Sequence, residues 1–228
     1  MIGRKISVTA ALIARAACSL FVPRLCIGCE RQLELTERWI CRTCLLQLLM
    51  NSAVSLRVLR VGKKDVLARY VLNYTPLVAR LITDFKYCDR PGLAGLLSQL
   101  VFAKLKALLI GNAILVAVPM HPAKLRERGY NQSELLCREL SRLSGLSFMP
   151  NVLIKQAQTC PQARLPRQDR MRNLRGKITC RLDAPISGRR FIVVDDVMTT
   201  GATLRECARV LLANGAREVS ACVIASSL

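Results

Sequence analysis

One run constrains this chain more than any other: Phe191-Ile192-Val193-Val194-Asp195-Asp196-Val197-Met198-Thr199-Thr200-Gly201-Ala202-Thr203. The short apolar stretch 191–194 reads as a buried strand, and residues 202–213 read as a helix stopped by Asn214-Gly215. A tight turn at a helix N-terminus points successive backbone N–H groups outward, and the helix dipole favours an anion there. Thr199, Thr200 and Thr203 add hydroxyl donors, and Gly201 lets the backbone come close to a ligand. Asp195 and Asp196 cannot bind phosphate, but they can accept hydrogen bonds from vicinal hydroxyls. A phosphate cradle beside a diol acceptor suits a ribose 5-phosphate. The plain alternative is an Asp-Asp cap on an ordinary strand–turn–helix. Adjacent carboxylates at the end of a buried strand repel each other, however, unless a ligand or metal offsets the charge.

The rest of the chain supplies a sheet for this run. Residues 66–74 (VLARYVLNY) are rich in β-formers. Pro76 opens a helix to about Tyr87, with Leu77, Val78, Leu81, Ile82 and Phe85 on one face. Residues 93–109 read as a second helix, and 113–118 (AILVAV) as a buried parallel strand closed by Pro119. Asn131 is a candidate N-cap for a helix over 131–143. Residues 152–155 suggest a short strand, 157–176 a polar, basic loop, and 219–225 the last strand. This alternation argues for an α/β fold, a parallel sheet flanked by helices. The expected organisation is a helical lead-in (1–22), a cysteine region (23–45), a connector (46–65) and the α/β domain (66–228).

The cysteine region holds Cys26-x-x-Cys29 and Cys41-x-x-Cys44, separated by 11 residues. Two such knuckles can supply a tetrahedral thiolate site, which suits structural Zn²⁺; a redox or incidental role is the alternative. The other seven of the 11 cysteines are scattered in mostly apolar settings. That usage fits a reducing, cytoplasmic compartment better than a disulfide framework. Trp39, just before Cys41, suits packing on the knuckle. The apolar stretch 6–14 behind Arg4 and Lys5 faintly resembles a signal peptide, but Arg15 interrupts it, and an amphipathic helix over 12–21 is preferred. No apolar stretch reaches the roughly 18 residues of a membrane span, so no integral span is expected.

The formal net charge is +20, and residues 155–190 alone hold ten basic residues against two acidic ones. Such charge favours polyanions: nucleic acid, phosphorylated small molecules or an anionic membrane face. Aromatic residues make up only 4%, which weighs against a stacking platform for single strands.

The run VVDDVMTTGAT resembles the phosphoribosyl pyrophosphate signature of type I phosphoribosyltransferases. Further segments narrow the likeness: residues 26–44, Phe85-Lys86-Tyr87, Val118-Pro119, Arg128-Gly129-Tyr130-Asn131-Gln132, and Gln162 through Arg172-Asn173. Together they resemble the ComF-type competence and amidophosphoribosyltransferase-like proteins, from about residue 18 onward. The resemblance implies that Asp195 and Asp196 hold ribose hydroxyls, while Val197, Met198, Thr199, Thr200, Gly201, Ala202 and Thr203 wrap the 5-phosphate. It implies Mg²⁺ bridging pyrophosphate and hydroxyls, with Lys124 and Arg128 of the segment 119–128 meeting the pyrophosphate. It implies a loop bearing Arg170, Arg172 and Asn173 that closes over the site. The implied chemistry is displacement of pyrophosphate at the ribose anomeric carbon, a pentosyl transfer related to nucleoside metabolism and resting on charge stabilisation. Each cation alone has a bland reading as solvated surface charge.

Two functional classes stay open: an enzyme moving a phosphoribosyl group to or from an amine or base, or a non-catalytic accessory of DNA uptake or DNA use that keeps the site to sense or grip nucleotide or DNA-end phosphate. A zinc-ribbon adaptor to another protein is a third reading; single-stranded DNA and the DNA-uptake machinery are the candidate partners. No cysteine stands near Met1 and Ile2, so a glutaminase-type nucleophile is not expected. His121 carries no assigned role.

Overall fold

The computed structural model describes residues 23–156 and 176–227. In chain order these form α1 (Arg42–Met50), β1 (Ser52–Val61), β2 (Lys64–Asn73), α2 (Pro76–Tyr87), α3 (Leu93–Leu105) and β3 (Ile114–Ala117). Next come α4 (Pro122–Arg128), α5 (Gln132–Ser144), β4 (Ser147–Phe148), β5 (Leu153–Lys155), β6 (Ile178–Cys180), β7 (Arg190–Met198), α6 (Ala202–Ala213) and β8 (Glu218–Ser226). The lead-in 1–22 and the loop 157–175, with Arg170, Arg172 and Asn173, lie outside the described residues.

The main sheet runs β1-β2-β8-β7-β3-β4, with β1–β2 an antiparallel hairpin and every other pair parallel. Burial of a parallel sheet on both faces explains why β7 and β8 are apolar at consecutive positions. Side chains alternate between two cores. Ile192, Val194, Cys222 and Ile224 join the cluster under α2, α3 and α5, and Phe191, Val193, Ala221 and Val223 join the one under α6. α2 forms where the sequence places it: Thr75 caps it, Pro76 opens it, and Val78, Leu81, Ile82 and Phe85 are buried.

Three segments differ from the sequence reading. Residues 46–65, expected as a connector, carry the end of α1, the edge strand β1 and the turn into β2. The period-2 pattern of β1 breaks where Val58 and Leu59 stand side by side, and Val54, Leu56 and Val58 are exposed, so its strand character was weak in sequence. β7 does not stop at Val194. It pairs with β8 through Asp195, Val197 and Met198, because backbone pairing continues after the apolar run ends. Residues 122–128, expected as loop, form α4, capped by His121 and closed by Gly129 at φ 82°.

The cysteine region is not a separate body. Cys26, Ile27, Leu33, Ile40, Cys41, Cys44 and Leu48 belong to the same buried cluster as Leu72, Val78 and Phe85. Arg80 of α2 ties down its rim, donating to the Gly28 carbonyl at 3.0 Å and to Glu30 at 2.9 Å. Trp39 packs against this core as expected, with the Arg38 guanidinium 5.1 Å from its ring centroid.

Candidate functional site

The carboxyl end of β7 brings the acid pair to the wall of a cleft. Asp196 is buried and pairs with Lys86 of α2 at 3.0 Å. Asp195 is half-buried; its Oδ1 accepts from the Ser133 hydroxyl and from the Asp196 N–H, both at 2.9 Å. Burial, and then the Asp196 carboxylate beside it, push Asp195 up to about 7 against the pull of Lys86. The pair is therefore loaded as expected, with one lysine for two carboxylates.

After Met198 the chain turns through Thr199, Thr200 and Gly201 into α6. Gly201 sits at φ 74°, and a Cβ there would stand 2.7 Å from Leu59 of β1. Only glycine permits both the left-handed backbone and that close approach. Gly201 at the N-cap of α6 has no side chain to offer, and the Ala202 N–H donates to Thr200 Oγ1 at 3.3 Å; the helix dipole at this end favours an anion. Two arginines brace it from outside: Arg57 of β1 donates to the Thr199 carbonyl at 2.9 Å, and Arg205 to the Thr200 carbonyl.

Beside the acid pair lies a cleft of about 280 Å³. Its walls include Lys86, Lys124, Arg128, Lys155, Gln132, Ser133, Asp195, Asp196, Val197 and Thr203. Four cations thus face two carboxylates, and the balance favours an anionic ligand. Arg128 donates to Gln132 Oε1 at 2.6 Å and lies 4.9 Å from the Tyr87 ring centroid. Burial, then Lys124, pull Lys155 down, as expected for cations crowded together. Larger hollows of about 510 and 520 Å³ lie elsewhere, beside Arg69 and Trp39; the first balances Asp65 and Glu218 against Arg69 and Arg190, the second Glu34 and Glu37 against Arg38 and Arg42, so neither has the excess of cations found here.

The structure thus gathers Asp195, Asp196, Val197, Thr203, Lys124 and Arg128 around one cleft. Sequence reasoning assigned no role to Lys86, Gln132, Ser133 or Lys155. Lys86 and Gln132 stood in segments already singled out, Phe85-Lys86-Tyr87 and the 128–132 run; Ser133 and Lys155 carried no signal. His121 also lines the cleft, but its Nδ1 is taken by the Ala123 N–H at 3.1 Å.

The second centre is the cysteine cluster. The sulfurs of Cys26, Cys29, Cys41 and Cys44 all lie within 4.8 Å of one another, and Cys29 and Cys41 are 3.7 Å apart. A tetrahedral zinc with Zn–S near 2.3 Å would space its sulfurs roughly 3.8 Å apart. The Cys41 N–H points at Cys26 Sγ (3.2 Å) and the Cys44 N–H at Cys41 Sγ (3.5 Å). Gly28 leaves room: a Cβ there would meet Leu77 at 2.6 Å and Cys44 Sγ at 2.8 Å. Burial and the three neighbouring thiols push Cys44 up. Burial also works against the Cys41 thiolate, yet the Cys44 N–H, Arg31 and the nearby thiols hold it down at about 6. Four sulfurs this close ionise together only around a cation, so the donor set fits a metal ion and is compatible with zinc.

Sheet, acid pair and turn define an α/β protein of phosphoribosyltransferase type. The family described as phosphoribosyl transferase domain matches residues 147–227. The "DNA utilization protein YhgH" of Escherichia coli (strain K12) is 32% identical over 201 residues, covering 86% of this chain and 87% of that protein. "Competence protein F" of Haemophilus influenzae is 29% identical over 64% of this chain and 67% of its own length. "Competence protein ComFC" of Bacillus subtilis is 26% identical over 84% and 79%. Among solved structures, an adenine phosphoribosyltransferase aligns over 80% of this chain and 89% of its own, at 14% identity and TM-score 0.42. The chain belongs to the ComF family of competence and DNA-utilization proteins, with a phosphoribosyltransferase-type domain.

Proposed function

We propose that the cleft at Asp195 and Asp196 binds phosphoribosyl pyrophosphate or a nucleoside 5-phosphate and supports transfer of the phosphoribosyl group. The observation that carries this reading is the acid pair itself. Two adjacent carboxylates, one half-buried and pushed up in pKa, stand within one cleft with cations and beside a helix N-terminus that opens on Gly201. A ligand with a vicinal diol and phosphates satisfies both halves.

In this reading Asp195 and Asp196 accept from the ribose hydroxyls. The N–H groups and hydroxyls of Thr199, Thr200, Gly201, Ala202 and Thr203 hold the 5-phosphate, with Val197 and Met198 setting the turn. Lys124 and Arg128 face the pyrophosphate and stabilise the charge that grows on it as the bond to the anomeric carbon lengthens. Arg170 and Arg172 are assigned to the same anion by resemblance alone. Lys86 already neutralises Asp196, and among the described residues no carboxylate cluster offers a cage for a divalent ion. Mg²⁺ would be held by the ligand's own oxygens, where it would neutralise pyrophosphate charge. The cysteine cluster is assigned to structural Zn²⁺, which would tie the knuckles to α1. Cysteine usage is the ground for a cytoplasmic setting.

Calorimetric titration with phosphoribosyl pyrophosphate and Mg²⁺ tests this function. A Kd in the micromolar range, weakened about tenfold or more in Thr200→Val, is the expected result. Heat-silent mixing with that ligand and with every nucleoside 5-monophosphate would refute it. A second reading, a DNA-gripping accessory, draws on the net charge of +20 and on the names of the relatives. It predicts affinity for single-stranded DNA that falls steeply with salt.

A further inference from the structure

The 128–132 run contains a residue that the proposed chemistry leaves unused. Gln132 opens α5, is 2% exposed and lines the cleft beside Ser133 and Asp195. Its Oε1 accepts from Arg128 Nη1 at 2.6 Å. A guanidinium can only donate, so the carbonyl must face Arg128 and the orientation of the amide is fixed. The other end, Nε2, is buried and has no hydrogen-bond partner among the described residues. A buried donor without a partner destabilises the fold, and native proteins rarely carry one without a reason.

We propose that Gln132 is a binding residue for the pyrophosphate group: Nε2 donates to a non-bridging oxygen of the ligand, while Oε1 holds Arg128 against the same anion. This rests on the reading of the cleft given above and adds a residue to it. Arg128 and Gln132 line the same cleft and are bonded to each other, so together they offer more than one donor, which suits a group with several oxygens. The surrounding cations, Lys86, Lys124 and Lys155, suit a polyanion better than a neutral carbonyl. Arg128 is held from two sides, by Gln132 and by the Tyr87 ring, so the donor pair is in place before the ligand arrives.

Two variants of the full-length, metal-loaded protein test the proposal against three probes: Mg²⁺-pyrophosphate, phosphoribosyl pyrophosphate with Mg²⁺, and adenosine 5-monophosphate. Gln132→Met removes both ends of the amide, while Gln132→Glu keeps the acceptor for Arg128 and removes the donor. The expected result is that both variants bind the two pyrophosphate-bearing probes about 10- to 100-fold more weakly and bind the monophosphate as wild type does. Gln132→Met should melt no lower than wild type without ligand, because it removes an unsatisfied buried donor. Three outcomes overturn the proposal while leaving the cleft reading intact. They are wild-type affinity for pyrophosphate in both variants, loss in Gln132→Met but not in Gln132→Glu, or loss confined to the monophosphate. Wild-type protein that binds none of the probes overturns the cleft reading and this proposal with it.

Discussion

Asp195 shows how one residue can be unfavourable for the fold and useful for a site. Its carboxyl is pushed up to about 7 by burial and by Asp196, against about 3.9 in an unfolded chain. Between those values the folded state holds the extra proton, so this group costs stability as pH rises from about 4 to about 7. Ligand-free protein should therefore melt lower at pH 8 than at pH 5, and Asp195→Asn should flatten that part of the profile. The same window should act in reverse on binding, because the diol acceptor must be ionised; affinity for phosphoribosyl pyrophosphate should rise from pH 6 to pH 8. A profile unaffected by Asp195→Asn would show that this carboxyl does not titrate there. The pair and its turn were legible in sequence because the chemistry sits in one contiguous run. Ser133 was not, because it reaches the cleft from a distant element and nothing local marks a residue that acts across the fold; Lys86 and Lys155 lay in segments already noted, but nothing local said that they meet the acid pair.

The turn depends on an element that the sequence hid. β1 reads as connector because its alternation fails at Val58-Leu59 and three of its apolar residues face outward. Yet Leu59, 1% exposed, lies under Gly201, and Arg57 holds the Thr199 carbonyl. Leu59→Ala should cost about 2–5 kcal/mol of stability by opening a cavity. Gly201→Ala should cost about 1–3 kcal/mol, through the left-handed backbone and the contact with Leu59. Chemical denaturation measures both, and a neutral Gly201→Ala would contradict the turn geometry. The two cysteine knuckles were legible because metal spacing is local. Their merger with the core beneath α2 was not, since it is made by Leu48, Leu72 and Val78. Elemental analysis should find one zinc per chain. Cys26→Ser should lose it and lower the melting temperature of the molecule, not of a detachable ribbon alone. Full stability in metal-free protein would contradict this.

At the scale of the whole molecule, the cleft beside Asp195 and Asp196 is lined by four cations, and the net charge is +20 overall. Among the described residues no helix is long and apolar enough to cross a membrane. If the charge serves DNA, affinity should fall linearly in log–log salt plots, and replacing Arg170, Arg172 and Arg175 together should flatten the slope. The parallel sheet was legible because strands buried on both faces carry consecutive apolar residues, as at residues 191–194 and 221–225. The central claim, that the acid pair serves a ribose phosphate, is tested most directly by melting wild type and the Asp195→Asn/Asp196→Asn variant with and without Mg²⁺-phosphoribosyl pyrophosphate. A ligand that binds only the folded state raises the melting temperature by mass action. The account expects a ligand shift in wild type that is largely absent in the variant, and a ligand-free variant at least as stable as wild type, since repelling carboxylates have been neutralised. No shift in wild type, together with a large ligand-free loss in the variant, would make the pair a structural cap and contradict the claim.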